Sequence, residues 1–169
     1  MSEGLLDELR GLLGERILDS HDALGDSTIL VAAEQIVEVM TSLRDQPEFA
    51  FNFLMDLTAV DYLDREPRFE VVYHLASIAE SGRGAEPARV LRRLRVKIGV
   101  PEEPCTVPSI ACVWPAANWM EREAWDLYGV HFSEHPDLRR ILLYEQFEGH
   151  PLRKDYPKEA RQPLIGPRN

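Results

Sequence analysis

The chain has 169 residues, a formal net charge of −10 and 44% hydrophobic residues. That is one domain's worth of chain, long enough to bury about two-thirds of its unfolded surface. No run approaches the roughly 20 apolar residues of a membrane-spanning helix, the opening Met1-Ser-Glu-Gly4 is acidic rather than leader-like, and the acidic balance argues against nucleic acid as main partner.

Leu5, Leu6, Leu9, Leu12 and Leu13 fall at helical spacing, and Gly14 follows as a stop. Thr28–Ala33 is short, apolar and partly β-branched, so a strand is expected there. Glu34–Leu43 reads as a helix with Ile36, Val37, Met40 and Leu43 on one face, ended by Pro47. Three strands follow. Leu54–Tyr62 alternates imperfectly. In Phe69–Leu75, Phe69, Val71, Tyr73 and Leu75 oppose Glu70 and His74. In Leu91–Ile98, Leu94, Val96 and Ile98 oppose Arg93, Arg95 and Lys97. Such alternation marks a sheet with one dry and one wetter face. Ser81–Pro87 reads as the turn joining the last two strands.

Pro101–Pro108 is a proline-rich connector. Ser109 is placed to cap a helix towards Trp114, which Pro115 breaks. Ala117–Tyr128 is helical again, with Met120, Ala124, Leu127 and Tyr128 on one face and Gly129 as its C′ residue. Beyond it, Pro136, Pro151, Pro157, Pro163 and Pro167 keep the chain extended or irregular. The expected architecture is a two-layer α+β domain over residues 1–130, with helices packed on a small mixed sheet. An extended C-terminal arm for partner contact, residues 131–169, follows it. The last twenty residues are basic, with Arg153, Lys154, Lys158, Arg161 and Arg168 against Asp155 and Glu159, and residues 160–169 read as a frayed end.

Several residue clusters invite chemistry. Cys105 and Cys112 lack the spacing of a zinc or iron–sulfur site and read as small core residues. His131-Phe-Ser-Glu134-His135 matches the inverted zinc-protease pattern, which would make the chain a free-standing hydrolase. That chemistry needs both histidines on one helical face, yet Gly129 ends a helix just before and Pro136 biases His135 away from one. Glu121, Glu123 and Asp126 sit near Arg122, Arg139 and Arg140, so ion pairing is a simpler reading than acid–base catalysis. Helical spacing puts Arg122 beside Asp126. The basic face Arg93, Arg95 and Lys97 suits either a charge-protected edge strand or a docking face for an acidic partner. Asp61, Asp64 and Glu66 read as turn residues. Residue types alone assemble no complete active site.

The run Glu121-Arg-Glu-Ala-Trp-Asp-Leu-Tyr-Gly-Val130, continued by Phe132 and His135-Pro-Asp-Leu-Arg-Arg-Ile-Leu142, resembles the signature of the 30 kDa subunit of proton-pumping NADH:quinone oxidoreductase, respiratory complex I. Leu94-Arg-Val-Lys97 with Val107-Pro-Ser-Ile110, and Gly149-His-Pro-Leu-Arg-Lys-Asp-Tyr-Pro157, are similar to the flanks of that signature. The resemblance implies a non-catalytic peripheral-arm subunit on the cytoplasmic side of a bacterial membrane, touching the 49 kDa-type partner. It implies no cofactor on this chain, with FMN and iron–sulfur clusters in partner subunits. The equivalent subunit of a membrane-bound hydrogenase carries the same signature. Trp119, Trp125, Tyr128 and Phe132 would be aromatic anchors. Glu121, Glu123, Asp126, Arg139 and Arg140 would lock the arm to the domain or the partner. Arg122, His135, Asp137, Arg153, Lys154 and Asp155 complete the candidate interface. Glu134 departs from the pattern, standing where members often carry glycine.

Overall fold

The structure, a computed structural model, describes residues 3–79, 89–159 and 161–163. The turn expected over Ser81–Pro87 lies outside them. The elements run α1 (Glu3–Leu13), β1 (Ile17–Ala23), β2 (Asp26–Val31), α2 (Ile36–Asp45), β3 (Phe53–Asp61), β4 (Phe69–Ala79), β5 (Arg89–Val100), β6 (Thr106–Pro108), α3 (Ala117–Tyr128) and β7 (His131–Ser133).

Five strands form one mixed sheet in the order β1-β2-β5-β4-β3, in which only the β2–β5 pairing is parallel. All three helices feed one apolar cluster with one face of that sheet. Leu9 and Leu13, Val39, Met40 and Leu43, and Ala117 and Ala124 meet Phe69, Val71, Tyr73, Leu75, Leu94, Val96 and Ile98. The expected two-layer arrangement of helices on a mixed sheet is therefore the observed one. Each fully buried side chain of this kind is worth roughly 1.5–3 kcal/mol of transfer free energy.

Three local differences from the sequence reading have physical causes. Strand β1 was not expected, because on this edge strand most side chains face solvent and its sequence shows no alternation. It joins β2 through Leu24 and Gly25, both at positive φ (55° and 86°), the backbone that a tight two-residue hairpin requires. Strand β5 is interior rather than an edge. Its basic face is neutralised within the sheet, Arg95 lying 3.2 Å from Asp26 and Lys97 2.8 Å from Glu70. Finally, the helix expected after Ser109 is a single turn. Val113 and Trp114 both donate to the Ile110 carbonyl, and Pro115 stops its propagation.

Strands β6 and β7 pair in parallel, with α3 as the crossover between them. Residues 131–133, assigned to the arm from sequence, thus form a strand of the body. Helix α3 ends at Gly129, whose φ of 77° makes the left-handed C-cap that the sequence predicts. Its buried face differs from the expected one. It comprises Ala117, Glu121, Arg122, Ala124 and Asp126, so two carboxylates point inward.

Candidate functional site

Residues 134–156 contain no helix or strand, and side-chain hydrogen bonds seat them on the body. Asp126 is the centre of one seat. Its fully buried carboxylate lies 2.6 Å from the Arg140 guanidinium and accepts from the amides of Ile141, Leu142 and Leu143 at 3.1, 2.9 and 2.9 Å. Burial alone would raise this carboxyl, but the hydrogen bonds from Leu143, Arg140, Leu142 and Ile141 outweigh it and hold it below the usual range. Arg140 also donates to the carbonyls of Phe147 and Gly149. His150 donates from Nδ1 to the Asp126 carbonyl at 3.0 Å, which fixes its tautomer.

A second seat is built at the β3–β4 hairpin. Arg68 and Asp61, both almost fully buried, form a bidentate pair with two contacts of 2.9 Å. Arg68 reaches Asp155 at 2.8 Å and Glu102 at 2.6 Å. Asp61 further accepts from the Lys154 amide at 2.7 Å. The Arg68 guanidinium beside it holds the Asp61 carboxyl low. Next to this seat Arg153 donates to the Tyr128 carbonyl, and its guanidinium lies over the Phe69 ring. A planar five-donor group suits this multidentate work better than lysine does.

Glu121, also fully buried, accepts from Ser109 Oγ at 2.6 Å and the Ile110 amide at 2.7 Å. Burial pushes its carboxyl up to about 7, against the lowering effect of those two bonds.

The structure sorts the predicted site residues into three groups by burial. Glu121, Asp126 and Phe132 are sealed inside the body, and Arg122 is nearly so. Phe132 is core, not a surface anchor. Arg122 does not pair with Asp126. It donates to the carbonyls of Arg139 and Arg140 at 3.1 and 3.0 Å, because Arg140 occupies the Asp126 carboxylate. Trp125, Tyr128, Arg140 and Arg153 are half-buried, and the His135 side chain is fully buried. Trp119, by contrast, is 67% exposed beside Arg122, and Glu123, Asp137, Arg139, Lys154 and Asp155 are exposed as well. Leu142 and Leu152 add exposed apolar surface that the sequence reading did not single out.

The sequence places Asp61 in a turn and carries no signal for Arg68, yet the structure pairs the two. Their pairing arises from the hairpin register, in which Asp61 stands opposite Phe69, and no sequence spacing announces it. The zinc-protease pattern fails on geometry. His131 is exposed on β7, Glu134 sits at a φ of 61°, and both ring nitrogens of His135 are engaged by backbone. No cluster of three or more potential ligands occurs among the described residues.

The fold and this site define a structural class: a one-sided mixed sheet whose C-terminal segment is fastened by buried ion pairs. A family model described as the 30 kDa subunit of respiratory-chain NADH dehydrogenase matches residues 29–162. The C-type subunit of NADH-quinone oxidoreductase from Roseiflexus sp. (strain RS-1) is 48% identical over 94% of this chain and 85% of its own. That from Geobacter metallireducens is 47% identical over 94% and 93%. Among solved structures, a trypsin-resistant fragment of Nqo5 is 36% identical with a TM-score of 0.62, covering 80% of this chain and 98% of its own. A chain of a membrane-bound sulfane sulfur reductase, an archaeal respiratory membrane complex, shares the fold at a TM-score of 0.70 and 20% identity, covering 93% and 86%. The chain belongs to the 30 kDa subunit family of respiratory-chain NADH dehydrogenase, and so with the subunits of the NADH-quinone oxidoreductase complex. Among the described residues, no helix is long and apolar enough to cross a membrane.

Proposed function

We propose that this chain is a non-catalytic scaffold of the peripheral arm of NADH:quinone oxidoreductase. It holds the 49 kDa-type subunit in place on the cytoplasmic side of the membrane, while FMN and iron–sulfur clusters reside in partner subunits. The observation that carries this reading is the division of labour between buried and exposed side chains. Buried Asp126 with Arg140, and buried Asp61 with Arg68 and the exposed Asp155, fasten an otherwise irregular segment to the body. Outward-facing Trp119, Leu142 and Leu152 are left on a fixed framework. Exposed aromatic and aliphatic groups held rigidly are what a protein-binding surface requires, since little side-chain and loop entropy remains to be lost on docking. A scaffold of this kind supports electron transfer by keeping cofactor distances constant.

The test is affinity capture of the tagged chain after gentle detergent extraction of native membranes, read by mass spectrometry. Co-recovery of a 49 kDa-type subunit with flavin and iron–sulfur subunits is expected. Recovery of the chain alone, from the soluble fraction, would overturn the reading. Nickel-site subunits in place of the flavin subunit would transfer it to a hydrogenase.

A further inference from the structure

The three helices cover one face of the five-stranded sheet, and the opposite face carries the alternate residues of its strands. Cross-strand pairing sets these in rows. Phe53, Ala76 and Arg93 make one row across β3, β4 and β5, Asp56, His74 and Arg95 the next, and Thr58, Val72 and Lys97 a third. On β4, Ala76 and Val72 are buried between their neighbours, so the β3 and β5 side chains stand above them as two walls. The β5 wall is a row of cations. On the β3 wall Phe53 and Met55 are 49% and 42% exposed. A cleft of about 320 Å³ on this face is lined by Met55, Asp56, His74, Arg93 and Arg95, with Asp26 from β2.

The cations of the β5 wall are offset by sharing rather than one for one. Asp26 lies 3.2 Å from Arg95 and 3.6 Å from Arg93, and Glu70 lies 2.8 Å from Lys97 and 3.2 Å from Arg65. Among the described residues, two carboxylates thus serve four cations. Arg93 keeps the longest of these contacts, and its side chain is 63% exposed. His74 adds no charge, because burial and then Arg95 push its imidazole down. Asp56 stands on the β3 wall, across His74 from Arg95. The face is therefore basic along β5 and apolar to acidic along β3, on a chain whose net charge is −10. Single apolar residues on a surface need no explanation. An exposed Phe and Met two positions apart, facing an incompletely neutralised row of arginines, have the composition of an interface core.

We propose that this open sheet face is a docking surface for an acidic segment of a neighbouring protein subunit, whose carboxylates meet Arg93 and Arg95 while its apolar side chains cover Phe53 and Met55. A guanidinium presents paired donors that match a carboxylate, and Asp26 alone cannot satisfy both arginines once water is excluded. The surface lies on the other layer from the outward-facing residues of the C-terminal segment. Leu142 and Leu152 are held there against α3, their amides bonded to Asp126 and to the Leu127 carbonyl. The chain is thus gripped from both layers, with one neighbour on each. The inference needs only that the chain is a subunit of an assembly, and stands whichever subunit docks on the helical layer.

The experiment is hydroxyl-radical footprinting of the purified complex and of the isolated full chain, read by mass spectrometry at Phe53 and Met55. Interface cores exclude water, so oxidation of both should fall about fivefold or more on assembly. A second arm places an amine on the β5 wall by Arg93→Lys and treats the assembled complex with a water-soluble carbodiimide, which joins amines to carboxylates in direct contact. A cross-link from position 93 to an Asp or Glu of another subunit is expected. Equal oxidation of Phe53 and Met55 in the two states would overturn the proposal. Protection with cross-links only to Asp26 or other carboxylates of this chain, or with none, would overturn the acidic partner. Should Arg93→Lys fail to assemble, the native Lys97 amine on the same wall serves the cross-linking arm.

Discussion

Glu121 and Asp126 sit five residues apart on α3, both carboxylates fully buried, and their surroundings drive them in opposite directions. Asp126 has a guanidinium and three backbone amides. Glu121 has one hydroxyl and one amide, with the His135 imidazole 3.8 Å away. One carboxyl is held below its ordinary value and the other is lifted to about 7. Burial is common to both, so the number and charge of donors decide the outcome. Their linkage to stability has opposite sign. Asp126 contributes stability above its unfolded value of 3.8, and loses it as pH falls through its lower folded value. Glu121 binds its proton more tightly folded than unfolded, so its contribution falls as pH rises from its ordinary value of 4.5 through about 7.

The largest effect should come from the Asp126 side. Asp126→Ala leaves Arg140 without its carboxylate and three amides without an acceptor, at a cost of about 3–5 kcal/mol. Urea denaturation measures this cost, and limited proteolysis should place new cleavages within residues 134–156. A loss under about 1 kcal/mol would mean that the segment is seated chiefly by Arg68 and Arg153, and the contrast with Glu121 would lose its structural meaning.

Backbone conformation sharpens the same contrast through a pair of substitutions of opposite sign. Gly129, beside the Asp126 seat, has a φ of 77°, and a Cβ there would lie 2.6 Å from both Arg153 Nη2 and His150 Cδ2. Gly129→Ala should therefore destabilise by about 1–3 kcal/mol, read as a lower thermal midpoint. Glu134, on the Glu121 side, has a left-handed φ of 61° without being glycine. Relief of that strain exceeds the entropy glycine adds to the unfolded chain, so Glu134→Gly should raise stability by roughly 0.5–1 kcal/mol. A drop in the midpoint of Glu134→Gly would show that the Glu134 side chain itself supports the turn.

These two sides were unequally legible in the sequence. Alternation in Phe69–Leu75 and Leu91–Ile98, and the Leu spacing of α1, report apolar burial, which acts through local periodicity. Hence the core, α1, α2, β3 to β5 and α3 were all readable. The seats depend on pairs distant in sequence: Arg68 with Asp155, Lys154 with Asp61, Ser109 with Glu121. No local pattern encodes such pairings, so Asp61 passed as a turn residue and Ser109 as a helix cap. Charge density around Glu121–Arg140 did point to ion pairing. It could not say that Arg140, rather than Arg122, takes the Asp126 carboxylate. Glu134 was the exception, because a glycine-shaped position occupied by glutamate is visible as a departure from the family pattern before any backbone angle is known.

The smallest effect on stability is the one that bears most on assembly. Arg139 and Arg140 are adjacent, yet Arg140 is fastened to Asp126 while the Arg139 side chain, among the described residues, meets only Asp137, 2.8 Å away at the surface. An exposed pair of this kind adds little to folding, since solvent screens it. Arg139→Ala should leave the thermal midpoint and the urea curve of the isolated chain unchanged, whereas Arg140→Ala should lower both. If Arg139→Ala nevertheless reduces recovery of partner subunits in the capture experiment, the exposed rim of residues 134–156 takes part in docking, and the buried seats hold it there. If recovery is unaffected, docking relies on Trp119, Leu142 and Leu152, and an apolar contact rather than charge selects the partner.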